Sequence, residues 1–156
     1  MIIKAFVARL SQNILPFTLL AVGTSFLSTA VAQQTQPTRL YNPIPLPANN
    51  QVSETLSERD IPTGDGGFAR DYLVRFNQGD NVAIDLTSDN FDTIVTLMSP
   101  EGATLAENDD GPDGTTNSLL FTRINQTGNY IIRVRSFGET GGGAFNLRVT
   151  RLRPVS

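Results

Sequence analysis

The 156-residue chain contains no cysteine, no histidine and no tryptophan, and its one lysine is Lys4. Without cysteine no disulfide can staple the fold and no thiol chemistry is open to it. Without histidine the Ser-His-Asp and Cys-His arrangements are excluded, together with the usual zinc ligands. Long apolar runs are also missing. The stretch from Ile14 to Leu27 is interrupted by Pro16 and diluted by Thr18, Thr24 and Ser25. It is shorter than the roughly 18–20 residues that a bilayer span requires.

What is present at the start has the form of an export signal. Lys4 and Arg9 give a positive beginning, the apolar stretch follows, and Ala30-Val31-Ala32 supplies the small-x-small pattern that signal peptidase accepts. The expectation is a signal peptide over residues 1–32, cleaved on export, with no membrane association afterwards. Residues 33–156 would then carry ten arginines against fifteen acidic residues, a net charge of −5. An acidic domain with scattered arginines is a poor match for nucleic acid and suits a secreted or periplasmic protein. Residues 33–51, with Pro37, Pro43, Pro45 and Pro47, read as an extended linker, because alternating prolines forbid helix and central strand. Residues 52–156 are left for the fold.

From Phe68 the hydrophobic period becomes two. Tyr72, Val74 and Phe76 alternate with Leu73 and Arg75; Val82, Ile84 and Leu86 alternate with Ala83 and Asp85. Asn77-Gln78-Gly79-Asp80 lies between them, and the pair reads as a hairpin. Further strands are expected around Phe91–Met98, with Val95 and Leu97 inward, then Thr104–Glu107, Ser118–Ile124, Tyr130–Arg135 and Phe145–Val149. Ser99-Pro100-Glu101-Gly102 is a turn. Seven to eight short strands without a helix predict an all-β, antiparallel sandwich, since one sheet alone would leave its apolar face wet.

The order of the pieces is itself informative. Asp71-Tyr72-x-x-x-Phe76-x-x-Gly79 is followed by Phe91-Asp92-Thr93, Leu97-x-x-Pro100-x-Gly102, Asn108-Asp109-Asp110 and Thr127-Gly128-x-Tyr130-x-Ile132-x-Val134, with Phe145-x-Leu147-x-Val149 last. This series resembles the bacterial pre-peptidase C-terminal domain over about residues 55–151. The resemblance implies a jelly-roll-like β-sandwich of a secreted protein, in a stand-alone version with no peptidase domain. It also brings in calcium, which some relatives carry, and extracellular polymers, since some bind collagen.

Two polar groupings are candidates for function. Asn108-Asp109-Asp110-Gly111-Pro112-Asp113-Gly114 crowds carboxylates that repel unless solvated or neutralised, and oxygen ligands suit calcium. Asp109, Asp113 and Gly114 fit positions of an EF-hand loop, but Gly111 and Leu120 stand where ligands are needed, so the loop is not an EF-hand. A weak calcium site of Asp89, Asp92, Asp109 and Asp110 is one reading; a solvated turn, with Asp92 capping backbone N–H groups, is the other. Arg133, Arg135, Arg148, Arg151 and Arg153 form a basic stripe, read either as a solvated face with cross-strand ion pairs or as a surface for an anionic polymer. Tyr72 and Tyr130 fall on inward phases and belong to the core. Every carboxylate pair sits in a turn, so no catalytic residue is assigned. The expectation is a monomeric, non-catalytic binding or accessory module for an extracellular polymer or protein. The alternative is a structural or escort protein for an exported partner such as a secreted peptidase.

Overall fold

The structure, a computed structural model, describes residues 41–112, 114–139 and 141–153. The signal segment expected over 1–32 and residues 33–40 of the expected linker lie outside them. The described chain forms ten strands: β1 (Ile44–Pro45), β2 (Gln51–Leu56), β3 (Ile61–Pro62), β4 (Phe68–Phe76), β5 (Asn81–Thr87), β6 (Thr93–Met98), β7 (Thr104–Asn108), β8 (Ser118–Arg123), β9 (Gly128–Ser136) and β10 (Gly143–Leu152). No helix occurs among the described residues. The strands located from the sequence leave out the two-residue pieces β1 and β3, which are too short to show a period, and β2, whose pattern is too brief to tell a strand from a turn.

The strands make two sheets. One has six strands in the order β1-β4-β9-β6-β7, with β3 also on β4; the other has four, β2-β10-β5-β8. The all-β sandwich expected from the alternation is therefore present. Its inner faces meet in one apolar cluster that includes Tyr72, Val74 and Phe76 of β4, Ile84 and Leu86 of β5, Val95 and Leu97 of β6, Ile132 and Val134 of β9, and Leu147 and Val149 of β10. Tyr72 and Tyr130 lie in this core, as their phase predicts. Phe76 and Tyr130 have ring centroids 5.7 Å apart, and Phe91 meets Phe145 edge-on at 6.5 Å. A buried side chain of this size contributes roughly 1.5–3 kcal/mol, so a sandwich without disulfides depends on all of them.

Two expectations are corrected. First, β4 and β5 are not a hairpin. β4 pairs with β9, β3 and β1, whereas β5 pairs with β10 and β8. The Asn77–Asp80 turn instead carries the chain across the core. Gly79, at φ 92°, donates its N–H to Ile124 O at 2.8 Å, and Gln78 N–H reaches Thr127 Oγ1 at 2.9 Å. Alternation shows which side chains face inward, but two strands facing one another across a core show the same alternation as two paired within a sheet. Sequence neighbours that do pair are β3 with β4 and β6 with β7, the latter through the expected turn, where Gly102 N–H bonds Ser99 O at 2.9 Å.

Second, the latter part of the expected linker belongs to the sheet. Ile44 and Pro45 pair with Tyr72 and Leu73 of β4, in parallel rather than antiparallel register, and Leu46 N–H donates to Leu73 O at 2.8 Å. Proline is compatible with this place because an edge strand can do without an outward N–H. Gly142 and Gly143 are likewise structural. A Cβ on Gly142 would stand 2.3 Å from Leu56 O, and one on Gly143 2.3 Å from Asn90 Cβ, so the start of β10 fits between β2 and the β5–β6 loop with no room for side chains.

Candidate functional site

One concavity, about 510 Å³, lies at the loops, lined by Asp89, Asp92 and Asn117, and another of similar size lies on the outward side of the six-stranded sheet. Odd-numbered residues of β4 and β9 point away from the core, which places Ala69, Asp71 and Arg133 on this side. β1 and β3 line the edge of β4 as two short walls. Between them lies a groove of about 480 Å³, with Ala69 and Asp71 in its floor and Ile44, Ile61 and Pro62 on its walls. A second depression of about 220 Å³ shares Ile61, Pro62, Ala69 and Arg133 with it and continues toward Thr96, Glu107 and Arg135. The two form one trough across the sheet.

Asp71 is 3% exposed, which for a carboxylate is tolerable only with partners. It has three hydrogen bonds. Arg133 Nε and Nη2 donate to Oδ1 and Oδ2, both at 2.7 Å, and the Tyr41 hydroxyl donates to Oδ2 at 2.5 Å. The Arg133 guanidinium is held above its usual range, first by this hydrogen bond to Asp71. Burial of its hydroxyl, with Asp71 beside it, pushes Tyr41 up to about 12. Tyr41 thus works as a neutral donor, strapping the chain before β1 over the ion pair.

A second ion-pair cluster closes one end of the sandwich. Arg70 donates to Asp60 Oδ1 at 2.7 Å and Oδ2 at 2.8 Å, to Thr55 O at 2.9 Å, and also to Glu54. Its guanidinium lies 5.9 Å from the Phe145 ring centroid. The hydrogen bond to Asp60 is the first cause that raises its pKa. Tyr72, whose ring is in the core, reaches Glu54 Oε2 with its hydroxyl at 3.1 Å. β4 is tied in this way to β2 of the opposite sheet.

The expected basic stripe is divided. Arg133 and Arg135 face outward from the six-stranded sheet, and Arg135 lies 3.4 Å from Glu107. Arg148 faces outward from the four-stranded sheet, on the opposite side of the sandwich. Arg151 folds over the Phe76 ring at 5.2 Å from its centroid and donates to Arg75 O at 3.0 Å. Arg153 follows the end of β10. Inner and outer phases of β9 and β10 are set within different sheets, so a run of arginines along the sequence is not a stripe in space.

The four aspartates expected as calcium ligands lie at the loops joining β5 to β6 and β7 to β8. Asp92 is pushed up, first by burial, then by Asp110 and Asp109. Those three are therefore within electrostatic reach of one another. Among the described residues no group of three or more His, Cys, Asp or Glu side chains is placed to hold a metal ion. The loops are held instead by uncharged side chains. Asn117 Oδ1 accepts from Ser88 N–H at 2.9 Å, Asn90 Oδ1 from Ala144 N–H at 3.0 Å, and Asn108 Oδ1 from Leu119 N–H at 3.0 Å. Asp92 contributes its backbone carbonyl, which accepts from Phe137 N–H at 2.8 Å.

The sequence reading missed the Asp71–Arg133–Tyr41 cluster. A signal was available: an acidic residue in the middle of a long strand, with an arginine at the matching outward phase of another strand. Pairing the two required knowing that β4 lies beside β9.

Residues 70–136 match the family model of the bacterial pre-peptidase C-terminal domain. Among solved structures, the pre-peptidase C-terminal domain of collagenase from Bacillus anthracis is similar, at 17% identity and a TM-score of 0.50, covering 70% of this chain and 93% of that one. PliG of Aeromonas hydrophila, a periplasmic inhibitor of g-type lysozyme, has 13% identity and a TM-score of 0.52, covering 71% of this chain and 96% of that one. At these identities the likeness concerns the fold. No curated protein matches the chain.

Proposed function

We propose, from the premise that residues 70–136 carry a bacterial pre-peptidase C-terminal domain, that the protein is an exported, non-catalytic binding module that grips an extracellular polymer or protein in the trough of its six-stranded sheet. The observation that carries this reading is the chemistry of the trough. Its walls are apolar and exposed, with Ile44 at 43% and Ile61 at 38%, and its one buried carboxylate is locked to Arg133 and Tyr41. A carboxylate tied up in a bidentate pair is a poor general base, whereas a rigid, partly apolar concavity with fixed polar groups suits recognition. The absence of histidine and cysteine from the sequence points the same way.

Export, to the periplasm or beyond, is supported by the N-terminal signal pattern. It also agrees with the fold, which the periplasmic inhibitor of A. hydrophila shares. The test is retention of the purified protein on immobilised collagen, peptidoglycan, an anionic polysaccharide and a g-type lysozyme. Binding to one of these, lost on Ile61→Asp and kept on Arg148→Ala on the opposite face, supports the reading. Binding to none of them, or binding indifferent to Ile61→Asp, overturns it.

A further inference from the structure

The two sheets expose four edges, and three of them are guarded. The β4 edge is covered by β1 and β3, each ending in a proline, Pro45 and Pro62. The β2 edge has Arg70 bonded to Thr55 O and to Glu54. β7 is five residues long, carries Glu107 and meets β6 with a register irregularity at Leu97 and Met98. Prolines, charges, short strands and bulges are the usual means of keeping an edge from recruiting another strand. β8 has a single guard, the charge of Arg123 at its last position, and none from Ser118 to Thr122. Its ladder is with β5, and at its centre Phe121 is 63% exposed, the most exposed large apolar side chain among the described residues.

Two observations fix which backbone groups of β8 face outward. Ile124 uses both its N–H and its C=O toward the β5 side, with Asp80 O and Gly79 N at 2.8 Å each. Leu119 N–H turns the other way, to Asn108 Oδ1 at 3.0 Å. Strand backbones alternate, so Leu119, Phe121 and Arg123 present their polar groups to the open side, and Asn108 takes up one of them near the start.

We infer that β8 is a self-pairing edge, which joins two copies of the protein antiparallel about a two-fold axis through Phe121. An outward residue pairs with an outward residue, so a register centred on Phe121 sets it opposite itself and Leu119 opposite Arg123. Six backbone hydrogen bonds result: two between the Phe121 pair and two at each end between Leu119 and the facing Arg123, whose C=O takes the place of Asn108 Oδ1 at the Leu119 N–H. The two exposed rings cover one another, the arginines stand at opposite ends of the seam, and the four-stranded sheets merge into one of eight. The contact is isologous, so it closes at two copies. A six-residue seam is small for a permanent dimer, so the association is expected to be reversible and concentration-dependent. The trough lies on the other sheet and stays open, so this pairing stands or falls independently of the proposed function.

The absence of cysteine makes the test clean. In a hydrogen-bonded antiparallel pair the facing Cβ atoms are about 5.5 Å apart, wide for an unstrained disulfide but within reach of a short bismaleimide crosslinker. Treated with that crosslinker the Phe121→Cys protein should form a covalent dimer, and Thr150→Cys, exposed on β10 of the same sheet, should stay single. Light scattering across a concentration series should show the wild-type mass rising toward twice the monomer value. Phe121→Pro removes an outward N–H and leaves the β5 pairing intact; it should remain monomeric with a cooperative melt. If it does not fold, Phe121→Arg sets like charges opposite one another and serves the same purpose. A wild-type mass that stays monomeric throughout overturns the inference. So does a dimer that survives Phe121→Pro or Phe121→Arg, or crosslinking at Thr150→Cys as efficient as at Phe121→Cys.

Discussion

The trough and the acidic loops handle negative charge in opposite ways. In the trough one carboxylate, Asp71, is almost fully buried and saturated by Arg133 and Tyr41. At the loops Asp92, Asp109 and Asp110 stand near one another, and backbone order comes from Ser88, Asn90, Asn108 and Asn117. A charge withdrawn from water needs a partner fixed in place, so the fold around Asp71 must be specific. A charge left in water needs little, so aspartates in loops can accumulate without architecture. Burial of one carboxylate in a strand therefore requires a fixed partner, whereas crowding of carboxylates in a loop by itself does not.

The largest effect should come from removing the trough carboxylate. Asp71→Ala leaves the Arg133 guanidinium, 32% exposed, without its partner. Orphaning one member of a buried pair costs about 3–5 kcal/mol, and the exposure of Arg133 sets this case near the lower end. Urea unfolding measures it. A loss no larger than that of Asp110→Ala would erase the contrast between the two regions.

Tyr41→Phe removes one hydrogen bond to a charged acceptor and should cost about 1–2 kcal/mol. The effect carries a pH signature. The folded-state pKa of Tyr41 is pushed up to about 12, above its unfolded value of 10.0. The contribution is therefore complete below pH 10 and lost as pH rises from there toward 12. The stability difference between wild type and Tyr41→Phe should shrink across that window, and a difference independent of pH there would mean that the strap is not held by this hydroxyl. Somewhat smaller, about 1 kcal/mol, is the expected loss on Asn117→Ala, which deprives Ser88 N–H of its acceptor. At the loops it should still exceed the effect of any aspartate substitution. Equal effects would show that the carboxylates, too, build structure.

How much of this was legible beforehand differs by element. The inward phases of β4, β5, β6, β9 and β10 were readable because burial imposes a period of two, and the Ser99–Gly102 turn because its residues suit it. β1 was hidden, since Pro43, Pro45 and Pro47 argue against a strand and only contact with β4 makes Ile44–Pro45 one. The false hairpin of β4 and β5, the divided arginines and the missed Asp71–Arg133 pair share one cause. Each depends on which strands are neighbours, and that is decided by long-range packing and not by local pattern. The family resemblance was readable from ordered motifs and is matched over residues 70–136, yet the aspartates it drew attention to are not the ones the fold buries.

The smallest effect tests the acidic loops themselves. The folded-state pKa of Asp92 is raised, first by burial and then by Asp110 and Asp109. Its ionised form is thus less favoured folded than unfolded, a cost borne at neutral pH that fades as pH falls and both states take up the proton. Asp92→Asn should then stabilise the protein at pH 7, by roughly a few tenths of a kcal/mol because the group is screened by solvent, and the gain should vanish in acid. Calcium offers the same relief by another route, since a cation near Asp92, Asp109 and Asp110 would offset their repulsion. If it binds there, millimolar calcium raises the wild-type melting temperature at pH 7, and the increment shrinks in Asp92→Asn because part of the repulsion is already gone. A calcium shift of equal size in both proteins would locate the ion elsewhere. Destabilisation by Asp92→Asn would mean that its carboxylate is a structural partner after all, and the two regions would then differ in degree of burial but not in how they are built.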